Sequence, residues 1–168
     1  MENQENQHDQ EKKENENGVN FLTEVVTIGF FGGFIWSIVN FVAYYLNLSK
    51  VGPALILNPW ALGDWKNKVL GQLIGILVIA VLSIGVAFVY RAILAKVKSV
   101  LAGVLFGAAI WGIVFYLLKP IFPDLKPLHE LGWNTIATTL CIYLLYGLFI
   151  GYSISFVYAQ KYNTSNKP

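Results

Sequence analysis

The sequence predicts an all-α integral membrane protein, a four-helix bundle preceded by a disordered polar N-terminal tail. Three observations point there. The 168 residues are 55% hydrophobic and only 13% charged, too little charge for a water-soluble globule of this size. Four stretches, approximately residues 25–46, 69–90, 100–118 and 134–158, have no Asp, Glu, Lys or Arg in their interiors and reach the ~20 residues that a bilayer core of roughly 30 Å asks of a helix. These runs are continuous, without the in-out alternation over about ten residues that marks a membrane strand.

The chain begins "MENQENQHDQEKKENENGVN". So polar a segment cannot bury enough apolar surface to offset its ordering entropy, and it lacks the apolar stretch of a signal peptide. Residues 1–20 therefore read as a cytoplasmic tail, residues 21–160 as the transmembrane domain and residues 161–168 as a second short cytoplasmic tail.

Each span carries glycines four apart: Gly29 and Gly33, Gly71 and Gly75, Gly103 and Gly107, Gly147 and Gly151. Small residues extend three of these stripes, with Ser37 in the first, Ser83 and Ala87 in the second and Ser155 in the fourth. Lipid tails are as apolar as leucine, so membrane helices associate through close packing and hydrogen bonds, and small residues let backbones approach. The stripes read as internal seams of the bundle. The alternative is that one faces outward and docks a second copy or another membrane protein.

Polar residues within the spans are few: Thr27, Ser37 and Asn40 in the first, Gln72 and Ser83 in the second, Thr135, Thr138 and Thr139 in the fourth. Their simplest role is interhelical hydrogen bonding; the sharper one is a polar path lined by Ser37, Asn40, Gln72 and Ser83. No span interior holds a charge, which proton relays, voltage sensors and ion-coupled transporters usually need. Glu24, at the entrance of the first span, would complement the positive end of a helix N-terminus.

Positive residues set orientation. Lys12, Lys13, Arg91, Lys96, Lys98, Lys161 and Lys167 lie on the side of the termini, against Lys50, Lys66, Lys68, Lys119 and Lys126 on the other. The turn "RAILAKVKS" weighs most, being short, triply positive and free of acid. Both termini are thus expected in the cytoplasm. Tyr44, Tyr45, Trp60, Trp65, Tyr116 and Trp133 collect near the outer ends of the spans, as an interfacial belt does, with Tyr90, Tyr158 and Tyr162 as its thinner cytoplasmic counterpart.

The two outer loops, "LNPWALGDWKNK" from Leu57 and "LKPIFPDLKP" from Leu118, resemble each other. Duplication of a two-span unit does not explain them. Asp64 and Asp124 are 60 apart, whereas Gly29 and Gly103 are 74 apart and Gly71 and Gly147 are 76 apart. Turn chemistry does: Asn58 and Lys119 precede prolines and are expected to leave helical geometry, and Asp64 and Asp124 can cap the turns that follow. On that reading Asp64 starts the second span and Asp124 a short surface helix ending near Gly132. A functional alternative gathers Asp64, Lys66, Asp124 and Lys126 around an outer-face ligand.

Residues for catalysis are not in evidence. The single cysteine, Cys141, permits no intrachain disulfide or thiolate cluster. "HELGW" from His129 lacks the second histidine of a zinc helix, and "GFFGGF" from Gly29 lies within a span instead of following a strand. No metal or cofactor is expected. A net charge of +2 with scattered cations argues against a nucleic-acid partner.

The order "GDWK" before the second span, "SIGVAFVYR" ending it, "PIFPDLK" after the third and "YLLYGLFIGYSISFVY" as the fourth resembles the YqhR family of conserved membrane proteins of Bacillus-type bacteria, over roughly Val19 to Ala159. The resemblance implies a multi-pass bacterial plasma-membrane protein and brings no catalytic or ligand-binding residues with it. Two functional readings remain. One is a non-enzymatic membrane protein acting through helix association with itself or a membrane partner. The other is a small oligomeric permease or channel. An intramembrane enzyme lacks candidate groups.

Overall fold

The structure, a computed structural model, describes the backbone of residues 2–59, 68–94, 97, 99–117, 119–122 and 128–165, and the side chains of residues 20–59, 68–94, 97, 99–117, 120–122 and 130–160. Four long helices carry the chain: α1 (Glu2–Tyr45), α2 (Val69–Leu94), α3 (Val100–Gly112, prolonged by a π-helical turn Ile113–Leu117) and α5 (Trp133–Ser165), with the short α4 (Leu128–Leu131) before the last. Their apolar sections, Asn20–Tyr45, Val69–Leu94, Val100–Leu117 and Trp133–Gln160, are long enough to cross a bilayer. Backbone helix continues from Glu2 into the first span; the polar residues ahead of Asn20 bring almost no apolar side chains to pack.

The helices form two hairpins. α1 packs on α2, α3 packs on α5, and α1 against α5 joins the pairs, while α2 touches α5 lightly. The described parts of the two hairpin loops, residues 46–59, 119–122 and 128–132, lie at one end of the bundle, and residues 97 and 99, between α2 and α3, lie at the other. Side chains near the termini meet in a core of Phe21, Val25, Ala87, Tyr90, Tyr146, Ile150 and Ile154. Arg91, in the last turn of α2, stands 4.7 Å from the centre of the Phe21 ring, where a cation also complements the helix C-terminus.

On the loop side the gap between the hairpins is filled by chain that is not a spanning helix. A 3-10 segment, Pro53–Leu57, rests on α2. Val51, Leu55 and Ile56 pack from the same stretch against a second core of Phe115, Phe122 and Leu131. The π turn belongs to this contact, burying Phe115 while Tyr116 and Leu117 stay exposed. α4 ends at Gly132, whose φ of +82° is the left-handed conformation that lets a helix stop without a Cβ clash.

Several expectations change here. Tyr90 is not an interfacial residue: it is fully buried, its ring edge-on to Phe106 at 4.9 Å, because α2 runs one turn further, to Leu94. Glu24 is exposed but lies well inside α1, so no free helix N-terminus is there for it to complement. Asn58 keeps helical dihedrals (φ −56°, ψ −39°) although Pro59 follows, its N–H bonded to the Leu55 carbonyl at 3.1 Å, and Lys119 opens a 3-10 turn. Local turn hydrogen bonding outweighs the pre-proline preference at Asn58. Tyr44, Tyr45, Tyr116 and Trp133 are exposed, while Trp60, Trp65 and Tyr162 fall outside the residues whose side chains are described.

Candidate functional site

The spacing of the four glycine pairs looks uniform in sequence, yet the structure uses them in three ways. Gly103 and Gly107 face Gly147 and Gly151 directly: a Cβ on Gly103 would stand 2.8 Å from the Gly147 carbonyl oxygen, and one on Gly151 2.7 Å from the Gly103 Cα. Backbone meets backbone along that seam. Gly29 and Gly33 instead meet Ser83 and Ala87 of α2, the small residues that extend the second stripe, and Ala80 beside them. Gly75 faces the carbonyl and carbon of Pro53, with the Ala54 nitrogen 2.9 Å from where its Cβ would be, so it makes room for the 3-10 segment and not for a helix. Gly71 is buried on the same face.

The second of these seams carries a hydroxyl that joins three helices. Ser83 Oγ donates to the Gly29 carbonyl at 2.6 Å and shares a hydrogen bond of 2.6 Å with Tyr146 Oη. One hydroxyl thus ties α1, α2 and α5. Ser37 Oγ turns back on its own helix, to the carbonyls of Gly33 at 2.6 Å and Phe34 at 3.0 Å. Asn40, half-buried one turn on, stands outside this bonded set.

Gln72 belongs to a different place. Its Oε1 accepts the Ala54 N–H at 3.0 Å, and Gly52 lies against the same amide. Gly75 is six residues into α2, so the segment it faces sits roughly 9 Å below the helix start at 1.5 Å per residue. Irregular backbone at such depth requires every polar group to be satisfied by protein. Many of the bonds are there: Leu48 and Ser49 N–H to the Ala43 carbonyl, Lys50 N–H to Thr135 Oγ1 at 3.2 Å, Val51 N–H to Ser49 Oγ at 3.1 Å, and Leu55 N–H to the Gly52 carbonyl at 3.1 Å, while Asn58 Oδ1 is buried without a partner. The bond from Lys50 to Thr135 also crosses from the first hairpin to the second. Trp111 Nε1 donates to Thr139 Oγ1 at 3.2 Å, adding a bond between α3 and α5.

The residues expected to line one polar path are therefore split. Eleven positions, roughly 16 Å of helix, separate Gln72 from Ser83, and the buried apolar Ile76 and Ala80 lie between them on the same face. Ser37 bonds within α1 and Ser83 bonds to Gly29 and Tyr146; Gln72 sits with the inserted segment. Asp64, Lys66, Asp124 and Lys126, the expected outer-face cluster, lie outside the described residues. Among the described residues no three His, Cys, Asp or Glu converge as a metal site would require.

Sequence reasoning missed Tyr146, Ser49 and the inserted segment. The visible signal was "VGPALIL", Val51 to Leu57, an apolar run too short to span and too apolar for an exposed loop. Tyr146 gave none, because a tyrosine hydroxyl in a span shows its partner only in three dimensions.

Residues 3–168 match the model of a family described as conserved membrane protein YqhR. The chain is also 47% identical over 142 residues to a protein of Bacillus subtilis (strain 168) named "Uncharacterized protein YqhR", covering 84% of this chain and 80% of that one. No solved structure matches the chain. The chain belongs to the YqhR family of conserved membrane proteins.

Proposed function

We propose that this member of the YqhR family is a non-enzymatic plasma-membrane protein that works by association, offering a rigid pair of docked hairpins to itself or to another membrane protein. One observation carries the reading: the central hydroxyl of the spans, Ser83 Oγ, is closed between the Gly29 carbonyl and Tyr146 Oη, and buried apolar residues part it from Gln72. Polar groups engaged in this way hold helices together and offer no path to a solute. The glycine seams are occupied within the chain, so the docking surface is sought on the lipid-facing sides or the loop side.

Capture of the full chain after mild detergent extraction, with size measurement by light scattering, tests the proposal. A stoichiometric membrane partner or a stable oligomer is the expected result. Solute leakage from vesicles containing the protein, faster than from protein-free vesicles, would overturn it in favour of a permease or channel.

A further inference from the structure

We infer that the inserted segment, residues 49–58, is a releasable latch between the two hairpins. Seated, it joins them at the loop end and makes them a rigid pair. Lifted, it lets the loop-side ends of α2 and α3 part about a hinge at the opposite end of the bundle. This goes beyond the association proposed above and does not depend on it.

The two ends of the bundle are built differently. The core of Phe21 and its neighbours takes side chains from all four spans, among them Val25 of α1, Tyr90 of α2, Phe106 of α3 and Ile150 of α5. Helix meets helix there. The loop-side core of Phe115, Phe122 and Leu131 draws on α3, α5 and the inserted segment, and none of its described members comes from α1 or α2. Nor do α2 and α3 form a packed pair among the described residues. The first hairpin therefore reaches the loop-side core through the segment, which is the position of a latch.

Among the described residues, one side-chain acceptor holds the segment on each side. Gln72 Oε1 of the first hairpin accepts the Ala54 N–H at 3.0 Å, and Thr135 Oγ1 of the second accepts the Lys50 N–H at 3.2 Å. The bonds from Val51 N–H to Ser49 Oγ and from Leu55 N–H to the Gly52 carbonyl are internal and travel with the segment. Ser49 N–H, bonded to the Ala43 carbonyl, keeps its start on α1. The apolar side chains lose little by leaving the core, because lipid tails are as apolar as leucine. One group gains: Asn58 Oδ1 is buried without a partner, and once lifted to the membrane surface it regains a hydrogen bond from water. Gln72 and Thr135 favour the seated form and Asn58 opposes it, so three named groups set the balance.

Double electron–electron resonance on the full chain in lipid nanodiscs decides the matter. Spin labels go on Leu70→Cys and Tyr116→Cys across the loop end, or on Leu22→Cys and Leu101→Cys across the opposite end, all four being exposed positions. Cys141→Ser removes the native thiol, which is also exposed. The loop-end pair should give a main short distance and a less populated one longer by about 5 Å, half a helix-packing distance. Gln72→Leu with Thr135→Val removes both acceptors and should raise the longer population roughly tenfold. Asn58→Leu removes the orphan acceptor and should lower it. The opposite pair should keep one distance throughout. A single short loop-end distance that survives the Gln72→Leu and Thr135→Val changes, equal lengthening at both ends, or a longer population left unchanged or raised by Asn58→Leu would each overturn the proposal. Should the double variant misfold, Asn58→Leu decides in its place, since the latch alone requires the longer population to fall.

Discussion

The seam between α3 and α5 and the seam between α1 and α2 use the same sequence feature to different ends. Along the first, Gly103 and Gly107 meet Gly147 and Gly151, and each glycine is opposite backbone. Along the second, Gly29 and Gly33 supply the space and α2 supplies Ala80, Ser83 and Ala87 to occupy it, with Ser83 hydrogen-bonded to the carbonyl that the missing side chain exposes. A glycine pair alone says that something approaches closely. What approaches, backbone or a small polar side chain, decides whether the glycines themselves are met by dispersion alone or by a directional bond as well; on the first seam the directional bond lies away from the glycines, from Trp111 Nε1 to Thr139 Oγ1.

The largest effect separates the two seams by sterics. Gly107→Leu places a side chain against the Tyr143 carbonyl and its neighbouring backbone, which does not yield as a flexible side chain would. A loss of about 3 kcal/mol or more is expected, read as loss of the monodisperse folded species in mild detergent. Gly75→Val tests the inserted segment in the same manner. Its Cβ would meet Pro53 and Ala54 backbone, but a short inserted segment can shift more easily than a spanning helix, so about 2 kcal/mol is expected by thermal unfolding. A Gly75→Val loss equal to that of Gly107→Leu would mean that the segment is as fixed as the helices.

Smaller changes sharpen the polar side of the comparison. Ser83→Ala removes the bond to Gly29 and leaves Tyr146 Oη without its Ser83 partner, for about 1 to 2 kcal/mol. Tyr146→Phe removes one bond and should cost about 0.6 to 1.7 kcal/mol. The double variant should fall short of the sum, since the shared bond is lost only once; strict additivity would show that the two hydroxyls are not coupled. Least of all, Gly85→Ala adds a methyl where no atom lies within 4 Å. Stability should hold or rise by up to about 1 kcal/mol from helix propensity alone, and a clear loss would place another surface on that face of α2.

Much of this was legible along the chain. Four apolar runs without interior charge predict four spanning helices because a bilayer core leaves the backbone no other simple way to satisfy its polar groups. The same physics makes the glycine stripes readable as close approaches. Their pairing was not readable, since Gly29, Gly71, Gly103 and Gly147 are chemically identical and each pair fits any other. Nor was the fate of Tyr90: an aromatic next to Arg91 at a span end has the look of an interfacial anchor, and only the presence of Phe106 and Gly151 around it makes it core.

The inserted segment marks the boundary most sharply. Composition determined that Val51 to Leu57 is apolar; α1 has already ended at Tyr45, with Asn47 at a φ of +58°. Where it goes was decided by groups distant in sequence: Gln72 offers Oε1 to the Ala54 N–H, Thr135 accepts from Lys50, and the bare surface of Gly75 admits Pro53. Class, span number and the need for small residues follow from how single residues partition between water and lipid, a property each carries by itself. Partner choice at the seams, the splitting of the polar residues into two sites and the closing of the loop-side gap follow from contacts between residues far apart in the chain, which only the packed bundle brings within reach.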